Sequence, residues 1–246
     1  MEDSRVKVAT ACRITAQQGL AREIAGHVSE RIAGTSEMWI RCRGVTERGV
    51  RFTTPDMIHR VGFRGEGDVD PDYELPLELP IHGEIYRARP EVNSVVHAHP
   101  TYSVLCAVAQ IPIRPLYGCY DMAGFRMADQ GIPLFPNARL INDLDIAQKL
   151  GDALGDKSAV LMRGHGITAV GATVEEAVLN AIRVERLAKF NWEVAQSGID
   201  VAPLADSDFD FFHTPLKRSV SHDTKWRWES YVAEDMVEQA QISHIF

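Results

Sequence analysis

No apolar run in the chain approaches the roughly 18 to 20 residues that a membrane-spanning helix requires. The opening stretch MEDSRVKVATACR carries charges where a secretion signal needs an apolar core. Cysteine is sparse: Cys12, Cys42, Cys106 and Cys119 form no CxxC pair, so neither a zinc knuckle nor a disulfide framework is indicated. Four scattered, reduced cysteines fit a cytoplasmic location. Basic charge is short as well. Against 34 Asp and Glu stand 26 Lys and Arg, and the net charge of −8 argues against a nucleic-acid partner gripped through its phosphates. The nucleotide signatures GxGxxG and GxxxxGK[ST] and the zincin signature HExxH are all missing. A small anionic substrate stays open, because a site's local field decides that rather than the global charge.

What is present suits a single α/β domain: 246 residues, 45% hydrophobic, are enough to bury one full core. The spacing of Ala9, Ile14, Leu20, Ala21 and Ile24 predicts a helix over 5–25, broken by GHVSERIAG. EMWIRCRG and GVRFTTP read as strands around a TERG turn, and GFRGEGDVDPDYELP reads as a loop. A helix is expected over 78–87, then a β-branched strand VNSVVHAH cut by Pro100, then a helix TYSVLCAVAQ capped by Thr101. In NDLDIAQKLGDALGDK, Ile146, Leu150 and Leu154 share a face, Asn142 or Asp143 can cap, and Gly155 ends the helix. SAVLMRGHGITAVG reads as strand, tight turn, strand. Thr173 and Glu176 form a capping box ahead of a long helix reaching about Gln196. A short apolar strand is expected before Tyr117, Tyr120 and Asp121. Trp226, Trp228 and Tyr231 are too many aromatics for a solvated tail.

His97 and His99 sit one residue apart at the end of a strand. Strand side chains alternate, so both imidazoles point the same way, a common half-site for a metal ion. His165 lies in RGHGI between Gly164 and Gly166, and glycines on both sides allow either a close approach or a positive φ. Three neutral imidazoles with no thiolate leave a divalent ion its full charge as a Lewis acid and an open position for substrate. Zinc, manganese, cobalt and iron all suit such a set. A carboxylate near the start of the 78–87 helix is a natural companion, and Glu74, Glu78 and Glu84 compete for that role on sequence alone. His82 and Tyr86 lie on the same helix, where support of the site and plain packing are both open.

Glu78, then IYRARPEVNSVVHAHP, then RGHGITAVG followed by a capped long helix resembles the class II aldolase/adducin family. The resemblance implies a three-layer α/β/α fold around a mostly antiparallel sheet. It implies one divalent ion per subunit on His97, His99 and His165, and Glu78 as the catalytic carboxylate. It further implies a homo-oligomer, often a tetramer, with the site near a subunit interface. The expected organisation is a catalytic domain over 1–204 and an aromatic-rich extension over 205–246, packed on its own or a neighbouring subunit.

The departures from the family's sugar-phosphate aldolases are informative. Those enzymes hold phosphate with a GN(V/L)S turn, a TPTG-like loop and paired serines before the glutamate. Here the places read GHVS (26–29), TTPD (53–56) and PLE (76–78). Leu77 cannot donate to phosphate and Asp56 would repel it, which should cost a dianion several charge-assisted bonds. His27 and Arg163 can instead meet a carboxylate, with Ser29 and Thr53 as further candidate substrate-binding residues. Together with KWRWESYV, this looks more like the family's metal-dependent decarboxylases of hydroxylated aromatic acids such as 3,4-dihydroxyphthalate. The alternative is retro-aldol cleavage of a sugar phosphate or a hydroxy-keto acid. Epimerisation or dehydration would use the same ligands. A non-catalytic adducin-like module would be expected to have lost them.

Overall fold

The β-branched run Ser94–Ala98 is buried along its whole length. A strand covered on both faces needs helices on both sides of its sheet, and this requirement shapes the molecule. The structure is a computed structural model and describes residues 3–67, 69–214 and 220–242. In chain order come α1 (Ser4–Gln17), β1 (His27–Arg31), β2 (Glu37–Arg41), β3 (Arg43–Gly44), β4 (Ile58–Gly62) and β5 (Tyr73–Glu74). Next are α2 (Leu79–Ala88), β6 (Ser94–Ala98), α3 (Thr101–Ala109), α4 (Met122–Asp129), β7 (Leu134–Phe135) and α5 (Leu144–Leu154). Then follow β8 (Ala159–Met162), β9 (Gly166–Gly171), α6 (Val174–Ser197), α7 (Asp206–His213) and α8 (Val220–Ile242).

β4, β2, β1, β6, β9, β8 and β7 lie side by side in that order. Every pairing is antiparallel except that of β7 with β8. Alternation then sorts the side chains between two cores. Val28, Val96, Leu161 and Ile167 pack with α1, α3 and α6 on one face. Met38, Val95, Val160 and Val170 pack with α2 and α5 on the other. The same parity turns His27, Ser29 and His97 toward α2, and His27 stands opposite His97 in the β1–β6 register.

Several local expectations shift. The helix read over 5–25 stops at Gln17, where Gly19 takes a φ of +74° and the Leu20 amide folds back onto the Thr15 carbonyl. β1 then begins at His27, inside the segment read as a break. GVRFTTP is not a strand: Val50–Phe52 is a 3-10 turn, held by the Thr53 hydroxyl donating to the Val50 carbonyl at 2.7 Å. Residues 111–116 form no strand, because Pro112 and Pro115 lack the amides a ladder needs. The α3 cap is supplied by Glu185 of α6, whose carboxylate accepts from the Tyr102 and Ser103 amides at 2.9 and 2.8 Å, and not by Thr101. Asp143 does cap α5, accepting from the Ile146 amide at 2.9 Å, and the Thr173 side chain accepts from the Glu176 amide at the start of α6.

The C-terminal helices turn back onto this framework. Phe212 of α7 packs on Phe125 of α4, and Trp228 of α8 is buried in the α1–α6 core while Trp226 is exposed. Asp235, also buried, accepts from Arg13 at 2.7 Å and from Gln17 at 2.8 Å, pinning α8 to α1. The parts of the aromatic-rich tail at 215–219 and 243–246 lie outside the described residues.

α2 carries a glycine in its interior, which ordinarily weakens a helix by about 1 kcal/mol relative to alanine. Packing explains it: a Cβ on Gly83 would sit 1.7 Å from the Phe63 carbonyl oxygen. Gly83→Ala is therefore expected to push α2 off the sheet and destabilise the fold by roughly 1 to 3 kcal/mol or more. Urea unfolding checks this; a midpoint equal to or above wild type would contradict it.

Candidate metal centre

Glu78 stands immediately before α2, and Pro80 in the first turn helps set where that helix begins. Its carboxylate caps no amide of its own helix. It is buried, and Oε1 instead accepts from the Ile141 amide at 3.0 Å. That separates it from its two sequence competitors. Glu74 is exposed, and Glu84 faces Arg87 and Gln148 at 2.9 and 3.1 Å.

His97 projects from the end of β6 on the α2 face. Its Nδ1 lies 3.4 Å from the Thr168 hydroxyl of β9, which leaves Nε2 turned toward Glu78. His99 follows beyond the strand, its amide donating to the Leu20 carbonyl at 3.0 Å. His165 occupies the β8–β9 turn. The flanking glycines do different work there. Gly164 adopts a φ of +67°, whereas Gly166 admits a close approach, since a Cβ on it would meet the Ala98 carbonyl oxygen at 2.2 Å and the His99 ring at 2.8 Å. The turn thus closes onto the end of β6 and brings the third imidazole beside the first two.

The four side chains converge. His97 Nε2 lies 3.0 Å from His99 Nε2 and 3.1 Å from Glu78 Oε2, and His165 Nε2 lies 3.2 Å from Glu78 Oε1. One donor atom from each falls within 4.8 Å of all the others. Ligands about 2.1 Å from one tetrahedral ion are separated by roughly 3.4 Å, so the residues present fit a metal. Burial, reinforced by the neighbouring His97 and His165, lowers His99 to about 3, so its lone pair is available at neutral pH. Burial acts to raise Glu78, but the hydrogen bonds from His165 and His97 outweigh it and hold the carboxyl well below its usual range.

Beside the cluster lies a second group of buried polar side chains. His27 Nδ1 is 2.6 Å from His82 Nε2, His82 Nδ1 is 2.6 Å from Ser29 Oγ, and Ser29 Oγ is 2.7 Å from the Tyr86 hydroxyl. The His27 ring stands 5.2 Å from that of His97. Burial, then His97, lowers His82 to about 3; burial, then His82 and His97, lowers His27 well below its ordinary value. Both rings are neutral near pH 7. The four-residue spacing of Glu78, His82 and Tyr86 was the available signal, because it puts all three on one helical face.

The remaining expected residues divide. His27 borders the cluster, and Arg163 is exposed beside the His165 turn. Ser29 does not reach the site: it is fully buried, with its hydroxyl engaged by His82 and Tyr86. Thr53 does not reach it either. Its hydroxyl accepts from Arg41 Nε at 2.8 Å while donating to the Val50 carbonyl, in a buried turn. Asp121 caps α4 and pairs with Arg183 at 3.3 Å.

The depressed histidines set an acid limit on the metal-free protein. His82 titrates near 3 when folded and near 6.5 when unfolded, so below pH 6.5 the unfolded chain binds protons that the folded chain refuses. Stability therefore falls as pH drops from about 6.5 toward 3, by up to roughly 1.4 kcal/mol per pH unit for each fully buried ring. Urea unfolding of chelator-treated protein at pH 7.5, 5.5 and 4.5 should show the decline. Constant stability across that range would contradict it.

Comparison with known proteins agrees with this geometry. The model of the class II aldolase and adducin N-terminal domain matches residues 6–192. A 3,4-dihydroxyphthalate decarboxylase of Arthrobacter keyseri is 41% identical over 230 residues, covering 92% of each chain. One of Rhodococcus jostii is 38% identical, over 85% of this chain and 88% of that one. Among solved structures, an aldolase II superfamily protein of Pseudomonas syringae superposes with a TM-score of 0.80 at 20% identity, covering 96% of this chain and 92% of its own. An L-fuculose 1-phosphate aldolase of Glaciozyma antarctica gives 0.77 at 20% identity, with 97% and 90% covered. At such identities the two structures speak to the fold alone. With the family model covering most of the chain and the sheet, helices and His–Glu cluster in place, this protein belongs to the class II aldolase and adducin family.

Proposed function

We propose that the protein is a metal-dependent, non-oxidative decarboxylase of a hydroxylated aromatic dicarboxylate of the 3,4-dihydroxyphthalate type. The observation that carries this reading is the convergence of His97, His99, His165 and Glu78 in a chain about two-fifths identical to decarboxylases of that name. A divalent ion on the three imidazoles would supply the electron sink that breaking a carbon–carbon bond requires. Zinc, manganese, cobalt and iron all suit an all-nitrogen set.

The protein's own groups do the rest. Glu78 is assigned the proton that reaches the ring carbon bearing the departing carboxylate. As the C–C bond breaks, its electron pair stays with the ring, the carboxylate leaves as CO₂, and aromaticity returns. When the imidazole nitrogens are engaged as ligands, Glu78 would lose those two donors and keep the one from the Ile141 amide. The burial that favours its protonated form remains. His27 and Arg163 are assigned to the second carboxylate. The positions that would serve a phosphate argue the same way: Leu77 is exposed and apolar, Asp56 is acidic, and the Ser29 and Thr53 hydroxyls are engaged internally.

Metal-reconstituted protein should release CO₂ from 3,4-dihydroxyphthalate and lose that activity with chelator. Aldehyde release from a sugar phosphate, with no CO₂ from aromatic acids, would overturn the reading in favour of retro-aldol cleavage. Glu78→Gln is expected to keep its metal and lower kcat by about 100-fold or more. Turnover within a few-fold of wild type would remove Glu78 from the chemistry.

A further inference from the structure

Behind His27 lies a polar chain that plain packing does not require. Alternation along β1 aims His27 and Ser29 at α2, and the four-residue spacing of α2 aims His82 and Tyr86 back at them. The result is an unbroken buried line, His27–His82–Ser29–Tyr86, with successive gaps of 2.6, 2.6 and 2.7 Å. His82 and Ser29 are completely buried and Tyr86 nearly so. Burying this much polar surface is tolerable only when every group is paired, so the line must adopt one consistent set of donors and acceptors.

Its direction follows from its inner end. The Tyr86 hydroxyl has two acceptors within reach: Ser29 Oγ at 2.7 Å and the Asn93 carbonyl at 3.4 Å. The Tyr86 proton is assigned to the shorter contact, because the Asn93 carbonyl already accepts from the Arg31 amide at 2.8 Å. Ser29, accepting from Tyr86, donates onward to His82 Nδ1. His82 then carries its proton on Nε2 and donates it to His27 Nδ1. That leaves His27 with its proton on Nε2, on the opposite edge of a ring 5.2 Å from that of His97. A fixed N–H beside an electron-sink site is a donor for an anion, whereas the opposite tautomer would present a lone pair and repel one.

We infer that Tyr86, Ser29 and His82 form a relay that locks His27 in its Nε2–H tautomer, and that this donor selects substrates carrying a second carboxylate next to the one that leaves. The inference rests on the decarboxylase reading for its ligand, and on the geometry alone for the tautomer. The three relay members are positioning residues; His27 is the group that would touch the substrate.

Two measurements test it separately. Magic-angle-spinning NMR of zinc-loaded protein with 15N-labelled histidine, with His27 assigned from a His27→Gln variant, reports which ring nitrogen is protonated. Nε2–H on His27 is expected in the wild type and a loss of that single tautomer in Ser29→Ala; Nδ1–H in the wild type overturns the proposal. Kinetically, 2,3-dihydroxybenzoate is 3,4-dihydroxyphthalate without the second carboxylate. Ser29→Ala should lower the preference for the diacid, as a ratio of kcat/KM values, by about tenfold, mostly through KM, the worth of one bond to a carboxylate. His82→Gln, whose amide still donates to His27 Nδ1, should retain most of the preference that His82→Leu loses. Equal losses on both acids would show a merely structural role and overturn it. If the wild type decarboxylates neither acid, the functional reading fails, and the NMR result alone still decides the tautomer.

Discussion

Three imidazoles and a carboxylate crowd one end of β6, and much of the architecture answers that crowding. Two ring nitrogens 3.0 Å apart, with a carboxylate oxygen 3.1 Å from one of them, repel as lone pairs unless a proton or a cation lies among them. The fold imposes the arrangement from four directions. β6 aims His97, a bond from the His99 amide to the Leu20 carbonyl holds the backbone of His99, the β8–β9 turn folds in His165, and the Ile141 amide holds Glu78. Such a constellation costs stability without an ion and is compensated by one, the usual relation between a catalytic metal site and its scaffold.

The close packing around this point has the same origin. Gly166 stands where a Cβ would strike the Ala98 carbonyl, and Gly83 where one would strike the Phe63 carbonyl, so both the His165 turn and α2 press on their neighbours at backbone distance. α2 presents Glu78 to the cluster and His82 and Tyr86 to β1. One helix face therefore serves both the His–Glu cluster and the group beside it. α8 is held to α1 by the buried Asp235–Arg13 contact, far along the chain from the ligands.

How much of this was legible in the sequence follows from the range of each cause. The HxH pair and the glycine-flanked histidine could be read because strand alternation and glycine geometry are local rules. The α5 and α6 caps were readable for the same reason. What escaped depended on partners distant in sequence. The end of α1 and the strand after it, the 3-10 turn at Val50–Phe52 and the Glu185 cap on α3 are set by neighbours the local pattern does not name. Ser29 and Thr53 are candidate substrate contacts on sequence because they stand in GHVS and TTPD, where the family's sugar-phosphate aldolases hold phosphate. Only the packing reveals that one is paired with His82 and the other with Arg41. His82 and Tyr86 share the helical face of Glu78, yet their pairing with β1 emerges only once the helix is laid on the sheet.

The central claim is that His97, His99 and His165 hold one divalent ion. Anomalous diffraction from crystals of manganese-loaded protein tests it most directly. The account predicts a single strong peak within about 2.0 to 2.3 Å of a nitrogen from each of the three imidazoles. A peak lying elsewhere, or none at this cluster in crystals that retain manganese, would contradict it.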